Sequence, residues 1–157
     1  MTESPAETDW SSPVWYHAEN VPPALESLRA AGSFEEATRA ADQVRSVASD
    51  DDSGALWPAA VPTTRRLLEI VRADRGPGCA GALDVLVDWV YWPAAAGFET
   101  RVDEEGTLFE VVATVRREVF GALDVFRSLA VDAAVPEEVR ELADQLVTAL
   151  LEPEEPV

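Results

Sequence analysis

The chain has 157 residues, in which 30 acidic side chains oppose 12 basic ones and give a formal net charge of -18. A chain of this length is expected to fold as one domain with its own hydrophobic core. Its single cysteine excludes an intramolecular disulfide, and a surface this acidic disfavours binding to nucleic acid or to anionic lipid.

Residues 1–20 form a polar leader. Its opening stretch, MTESPAETDW, has neither the basic region nor the apolar core of a secretory signal, and no apolar stretch of the chain approaches the roughly 20 residues that span a bilayer. A cytoplasmic location is therefore predicted, with no membrane contact. Trp10 and Trp15 lie in DWSSPVWYH, which has no helical period. We expect them to seal the helical domain by packing on its first hairpin; the alternative is a binding edge with aromatic anchors.

Between residues 21 and 152, hydrophobic spacing predicts amphipathic helices and no strand. Pro22 and Pro23 open a short helix that Gly32 closes. Ser33, followed three residues later by Glu36, forms a capping box that starts a second helix. The apolar stripe of this second helix consists of Ala37, Ala40, Val44 and Val47. It ends at the acidic stretch 49–52, so the two helices form a hairpin.

The tetrapeptide WPAA occurs at residues 57–60 and again at 92–95. Pro58 and Pro62 cannot both lie inside a regular helix, so the first copy predicts an extended approach to a helix that runs to about Ala73. The following helix, near 78–92, is apolar apart from one narrow strip and should be packed on two sides. The strip consists of Gly81, Asp84, Asp88 and Tyr91. This helix is predicted to be the spine of the core.

After the second WPAA, a connection leads to an apolar register that predicts one long helix, or two nearly collinear ones, as far as about Val131. The register runs through Leu108, Val112, Val115, Val119, Leu123 and Phe126. Pro136 starts a final helix with Glu137 and Glu138 in its first turn, where the helix dipole favours acids. Residues 153–157 are predicted to be a flexible acidic tail.

Two short patterns recur at a spacing of 40 residues. Val-Pro occurs at 21 and 61, and Gly-Ala-Leu-Asp-Val begins at 81 and 121. Helical-hairpin repeats of the HEAT and armadillo type have periods of about 40 to 47 residues. Since one hairpin cannot bury its apolar face alone, about three stacked hairpins would form one continuous core.

Three stretches carry a family resemblance: WYHAENVPPALESLRAAG, ALWPAAVPTTRRLLEIVRAD and GCAGALDVLVDWV. Over roughly residues 14–91 they resemble bacterial HEAT-repeat-like proteins, with a weaker echo in GALDVFRSLAVDAAVPEEVRELADQL. The connection 99–106 and the acidity depart from that pattern. The resemblance implies an all-α fold, a short right-handed α-solenoid of about three stacked helical hairpins. It also implies a scaffold or binding role and assigns no catalytic residue.

His17 and Cys79 are the residues on which catalysis would depend. A Ser-His-Asp triad, a Cys-His pair or a metal site with two histidines would each need His17, which is the single histidine. The simpler prediction is that His17 supports a loop or helix start, and that Cys79, on an apolar stripe, is a buried inert thiol. The sequence therefore predicts no catalytic residue, metal or cofactor.

Asp84 and Asp88 lie one turn apart on the predicted spine helix. Like charges at this spacing destabilise a helix, so a cation should lie opposite them. The expected cation is an internal arginine, namely Arg65, Arg66 or Arg117; the alternative is a groove whose acidic floor accepts Arg or Lys side chains of another protein. A metal-binding or acid-base pair is also conceivable, but neither a histidine nor a third acid lies nearby in the sequence.

The acidity is concentrated in residues 1–54 and 99–157, with charges of -8 and -10, while residues 55–98 are neutral. This predicts a non-enzymatic module that binds a cationic protein, for example an immunity protein that neutralises a basic toxin such as a nuclease. The predicted contacts are Asp84, Asp88, Asp103, Glu104, Glu105, Asp124 and Trp15. One alternative is a scaffold or regulatory adaptor whose acidity only maintains solubility, and another is a metal-dependent hydrolase that uses Asp84 and Asp88. A monomer is expected.

Overall fold

The computed structural model describes residues 8–152, and helices make up most of this part of the chain. Two short 3₁₀ turns, Pro13–Trp15 and Ala18–Asn20, precede the first α-helix. The α-helices are α1 (Val21–Arg29), α2 (Phe34–Ala48), α3 (Ala60–Ala73), α4 (Pro77–Trp89), α5 (Val111–Phe120), α6 (Leu123–Val131) and α7 (Glu137–Leu151). The prediction of a mainly helical fold is confirmed.

The predicted start of α2 is also confirmed. Ser33 Oγ accepts a hydrogen bond from the Glu36 amide at 3.1 Å, and Glu36 Oε2 accepts one from the Gly32 amide at 2.8 Å. The glutamate thus caps the amide one residue before the one in the standard capping box. Pro22 and Pro62 both lie in the first turn of their helices, where a missing N–H leaves no helical hydrogen bond unmade.

Helix α4 lies at the centre of the domain, as predicted for the spine of the core. It packs against α1, α2, α3 and α7, and it buries Leu83, Leu86 and Trp89 completely. The other helix contacts join α1 to α2 and α3, α3 to α5, and α6 to α7. Because other helices surround α4, its surface is apolar almost all round. The helix ends at Trp89, three residues earlier than predicted.

Four short strands make the prediction of no strand wrong. Strands β1 (Ser49–Asp50) and β2 (Ala55–Leu56) form one antiparallel pair, and β3 (Thr100–Val102) and β4 (Leu108–Glu110) form another. All four fall in segments that the hydrophobic pattern predicts to be connections or helix starts. Strands of two or three residues are too short for the alternation of apolar and polar side chains to be recognised.

The second WPAA copy pairs with Leu56, the residue immediately before the first copy. The Leu56 amide donates to the Pro93 carbonyl at 2.7 Å, and the Ala95 amide donates to the Leu56 carbonyl at 2.8 Å. These two hydrogen bonds form a parallel bridge between Leu56 and Ala94. The second copy therefore joins the connection that follows α4 to the connection that precedes α3, and the first copy takes no part in this bridge.

The register from about residue 108 predicted either one long helix or two nearly collinear ones, and the structure has two helices, which separate at Gly121. The Gly121 and Ala122 amides donate to the carbonyls of Arg117 and Val119, each at 3.0 Å, and Ala122 leaves the helical conformation. Leu108 lies in β4 and is 66% exposed, so the start of that register was wrong. The apolar spacing continues across the break because residues on both sides of it enter the same core.

The two Gly-Ala-Leu-Asp-Val copies occupy different environments. Gly81 is buried where α4 meets α1 and α2. A Cβ at this position would collide with the Leu28 side chain and would lie 3.0 Å from the Ala37 carbonyl oxygen. Its predicted place on the polar strip is therefore wrong. Gly121 is exposed at the end of α5. By contrast, Val21 and Val61 of the Val-Pro pairs are both buried in the first turn of a helix.

The described part of the leader contacts both the β3–β4 hairpin and the first two helices. Arg101 Nε donates to the Val14 carbonyl at 3.1 Å, and its Nη2 donates to the Pro13 carbonyl at 2.7 Å. The second 3₁₀ turn contacts α1 and α2. Residues 1–7, and the predicted acidic tail at 153–157, lie outside the described residues. Within residues 8–152, no helix combines the length and the apolar character needed to cross a bilayer.

A candidate acidic binding site

Arg45 is buried inside the interface between α2 and α4. It lies on the same face of α2 as the fully buried Ala41 and Ala48, and it is only 6% exposed. Burial alone lowers the pKa of Arg45, but the neighbouring carboxylates outweigh it and raise the pKa above its ordinary value. The guanidinium is therefore charged at any pH at which the protein folds.

Three carboxylates surround this guanidinium. Arg45 Nη2 donates to Asp84 Oδ2 at 2.7 Å and to the Asp84 carbonyl at 3.0 Å, while Nη1 donates to Asp42 Oδ1 at 2.9 Å. Arg45 Nε lies 2.9 Å from Asp88 Oδ2, an ion-pair distance at which the N–H is not aligned for a hydrogen bond. One buried cation thus fixes acidic side chains from two helices.

The expectation that an internal arginine faces Asp84 and Asp88 is confirmed, but the three arginines named for this role were wrong. Arg65 pairs with Glu118 at 3.3 Å, and Arg66 pairs with Glu69 at 2.6 Å. Arg117 lies on α5 and lines a different surface.

Arg45 was not among the predicted site residues, although the sequence contains a signal for it. An arginine at position 45 interrupts an apolar stripe that continues from Ala41 to Ala48. A charged residue at a core-facing position requires a buried partner of opposite charge, and Asp84 and Asp88 were already candidates for that partner.

The carboxylates that hold Arg45 also face solvent. The side chains of Asp84, Asp88 and Asp42 are 44%, 43% and 66% exposed. Asp51, in the turn between β1 and β2, is close enough to Asp88 to act on its titration. We call Asp42, Asp51, Asp84 and Asp88 the acidic patch. The acidic patch contains four acids and lies over one arginine. Its local charge is therefore negative, although three of the acids are ion-paired with Arg45.

The pKa of Asp88 is raised in the folded protein. Burial is the main cause that raises the pKa of Asp88; Arg45 lowers this pKa, and the negative charges of Asp84 and Asp51 raise it again. The net direction is upward, so the folded environment disfavours the carboxylate. Groups that reduce stability in this way are typical of functional surfaces.

Aromatic side chains border the acidic patch. Tyr91 is 62% exposed and follows Asp88 by about one turn. The Trp92 ring packs over Gly54, reaching within 3.6 Å of the position where a Cβ would be, and Gly54 has a φ of 69° that favours glycine. This contact holds the turn 51–54 beside the end of α4. The patch therefore has an exposed tyrosine at its edge, a residue type that is enriched in protein interfaces.

The other predicted acidic contacts lie on different elements. Asp103 is in the turn of the β3–β4 hairpin, where its Oδ1 accepts hydrogen bonds from the amides of Glu105 and Thr107 at 2.9 and 2.8 Å. Glu104 and Glu105 are exposed beside it, and Asp124 is exposed in the first turn of α6. Within residues 8–152, no ion pair or hydrogen bond connects these four acids to Asp84 or Asp88.

Trp15 belongs to an aromatic cluster that joins the leader to the hairpin. Its ring centroid lies 5.9 Å from that of Phe109, and it is half-buried against the core. The neighbouring Tyr16 ring contacts His17, Trp57 and Phe98 at centroid distances of 4.6, 5.7 and 4.5 Å. Trp15 therefore packs against the β3–β4 hairpin, whereas the sequence predicted packing on the first helical hairpin.

The residues that catalysis would require lie in different places. His17 is exposed on the leader, with a left-handed φ of 54°. Cys79 is fully buried; burial raises its pKa to about 12, and its Sγ lies 3.9 Å from the Val71 carbonyl. Among residues 8–152, no group of three His, Cys, Asp or Glu side chains is placed to hold a metal ion. Between Asp84 and Asp88, the position of a cation is taken by Arg45.

Comparison with protein-family models, with curated proteins and with solved structures finds no match to this chain. The function must therefore be inferred from the site itself.

Proposed function

We propose that this chain is a non-enzymatic binding protein whose acidic patch accepts cationic side chains of a protein partner. One observation carries the proposal: buried Arg45 holds Asp84 and Asp88 in place while their side chains stay 44% and 43% exposed. Carboxylates that are already ordered lose little conformational entropy on binding. They can also form paired hydrogen bonds with an incoming guanidinium, the strongest type of polar contact available to them.

The scaffold that we propose for this surface is a short right-handed α-solenoid of three HEAT-like hairpins. The hairpins would be α1–α2, α3–α4, and the broken helix α5–α6 with α7. The helix contacts support this arrangement, because α1 packs on α3 and α3 on α5, while α2 packs on α4 and α4 on α7. The acidic patch would then lie between the second helices of the first two hairpins.

The net charge of -18 supports a cationic partner. Complementary charge speeds the encounter of two proteins by roughly 10- to 1,000-fold and rejects acidic competitors. A concrete form of the proposal is an immunity protein that neutralises a basic toxin, such as a nuclease. In that case the acidic patch would occupy the surface with which the toxin binds nucleic acid.

A second candidate is a scaffold or regulatory adaptor whose acidity only maintains solubility. The observation that favours it is an apolar pair on the β3–β4 hairpin, where Val102 and Leu108 lie opposite each other and are 52% and 66% exposed. Binding there would depend on apolar contact and would respond weakly to salt. The hydrolase alternative predicts a tightly held divalent ion between Asp84 and Asp88, which elemental analysis of the purified protein would detect.

The test uses two double variants that remove the same charge from different surfaces. Asp51→Asn with Asp52→Asn neutralises two exposed residues of the β1–β2 turn, of which Asp51 acts on Asp88, and it leaves every Arg45 contact in place. Glu104→Gln with Glu105→Gln is the matched control on the hairpin. Wild type and both variants are immobilised and exposed to native lysate at low and high salt, and the association rate of each retained protein is then measured.

We expect a basic protein that is retained at low salt and whose association with the Asp51/Asp52 variant is at least about tenfold slower, while the Glu104/Glu105 variant behaves like wild type. Equal losses in both variants would show that net charge alone attracts the protein. Retention that is indifferent to salt and to both variants would favour the adaptor.

A further inference from the structure

A groove between α3 and α5 is lined by more arginines than acids. Its volume is about 500 Å³, within the range of roughly 300–1,000 Å³ that is typical of small-molecule sites. One wall is the face of α3 that carries Arg65, Glu69 and Arg72, and the other wall carries Arg117 and Glu118 of α5. Three arginines thus line a groove in a strongly acidic protein.

Both acids of the groove are already neutralised. Glu69 Oε1 accepts a hydrogen bond from Arg66 at 2.6 Å, and its Oε2 lies 4.0 Å from Arg29. Glu118 Oε1 accepts a hydrogen bond from Arg65 Nε at 3.3 Å, which joins the two walls. These ion pairs neutralise both glutamates of the groove. Arg72 and Arg117 are the lining arginines that have no ion pair within residues 8–152.

Arg72 and Arg117 are exposed, and their side chains make no hydrogen bond or ion pair with any residue in 8–152. Both lie in the last turn of a helix, where the dipole favours a cation. Interaction with the helix dipole does not by itself require Arg72 and Arg117 to line the same groove. Two guanidinium groups that have no ion pair within residues 8–152 give this groove a local positive charge in a chain of net charge -18.

We propose that this groove binds a small ligand that carries phosphate or carboxylate groups, held by Arg72 and Arg117. The planar guanidinium presents paired N–H donors that match the oxygen spacing of either group. Leu68 gives the groove an apolar floor, since it is only 3% exposed, and the exposed Gly121 leaves one end free of a side chain. The site is independent of the acidic patch, which lies between α2 and α4.

The test is isothermal titration calorimetry with inorganic pyrophosphate and, separately, with citrate, at matched ionic strength. The variant is Arg72→Gln with Arg117→Gln, and the matched control is Arg39→Gln with Arg127→Gln, which removes two exposed arginines outside the groove. Thermal unfolding without ligand shows that the variants remain folded.

We expect wild type and the control to bind at least one probe with dissociation constants within about twofold of each other, and the groove variant to bind it at least tenfold more weakly. The probe that binds more tightly identifies the acid group. No binding of either probe to wild type, or an equal loss in the groove and control variants, would overturn the proposal.

Discussion

Arg45→Met removes the buried cation beneath the acidic patch and keeps most of the side-chain volume. Asp84 and Asp88 then lose their shared partner at 2.7 and 2.9 Å and repel each other across one helical turn. The perturbation is confined to the α2–α4 interface because the methionine replaces the aliphatic part of the arginine.

The size of the effect follows from burial. Deleting one partner of a fully buried ion pair destabilises a protein by about 3–5 kcal/mol. Here Arg45 is 6% exposed, but Asp84 and Asp88 are 44% and 43% exposed, so water replaces part of what they lose. We therefore expect a loss of about 2–3 kcal/mol in the free energy of unfolding. Adding Asp84→Asn and Asp88→Asn removes the stranded charges and should restore about 1–2 kcal/mol.

Urea unfolding at neutral pH and low salt, followed by tryptophan fluorescence, measures these differences, since Trp89 is fully buried and becomes exposed on unfolding. The control is Arg39→Met on the same helix. Arg39 has a 71% exposed side chain and lies 3.9 Å from Glu35, so its loss should change stability by less than about 0.5 kcal/mol.

Two results would refute this reasoning. If Arg45→Met is as stable as Arg39→Met, the guanidinium does not hold α2 against α4. If the triple variant is less stable than Arg45→Met alone, the stranded carboxylates are not the source of the loss.

Three further predictions follow from the same structure. The folded environment raises the pKa of Asp88, so folding favours the protonated form of this carboxyl. Asp88→Asn should therefore be more stable than wild type at pH 7. Chemical denaturation should show that this difference in stability shrinks as the pH falls toward about 4. Gly81→Ala should destabilise the protein by about 1–3 kcal/mol through the clash with Leu28. Gly121→Ala, in the identical motif, should leave thermal unfolding nearly unchanged. Equal effects of the two substitutions would mean that the two copies of the motif are equivalent. Cys79, with a pKa of about 12, should react with a thiol reagent at pH 8 on the order of 1,000-fold more slowly than a free thiol until the protein is unfolded; rapid labelling of the native protein would contradict its burial.

Local signals in the sequence predicted most helices. The starts of α1, α2 and α7 follow from Pro22, the Ser33–Glu36 cap and Pro136, because each is a short-range effect of one or two side chains on the backbone. The strands of two or three residues could not be predicted, since tertiary contacts decide them, and the choice between one long helix and two helices around Gly121 stayed open for the same reason. The Gly121 turn keeps the apolar register, and β3 and β4 are stabilised by the leader packed against them.

The candidate site was predicted only in part. The spacing of Asp84 and Asp88 indicated a missing cation, but Arg45 is 39 residues from Asp84 in the sequence, and only the packing of α2 on α4 brings them together. The groove of Arg72 and Arg117 left no sequence signal, because its positive character arises from which glutamates the neighbouring arginines neutralise.

The contact between the leader and the β3–β4 hairpin has a consequence for biosynthesis. Arg101 donates to the carbonyl of Val14, 87 residues earlier in the chain. Ribosomes add roughly 5–20 residues per second, so the leader emerges on the order of 5–20 s before its hydrogen-bond donor exists. During that interval Trp15 lacks Phe109 as a neighbour, so its indole ring is less covered than in the folded protein.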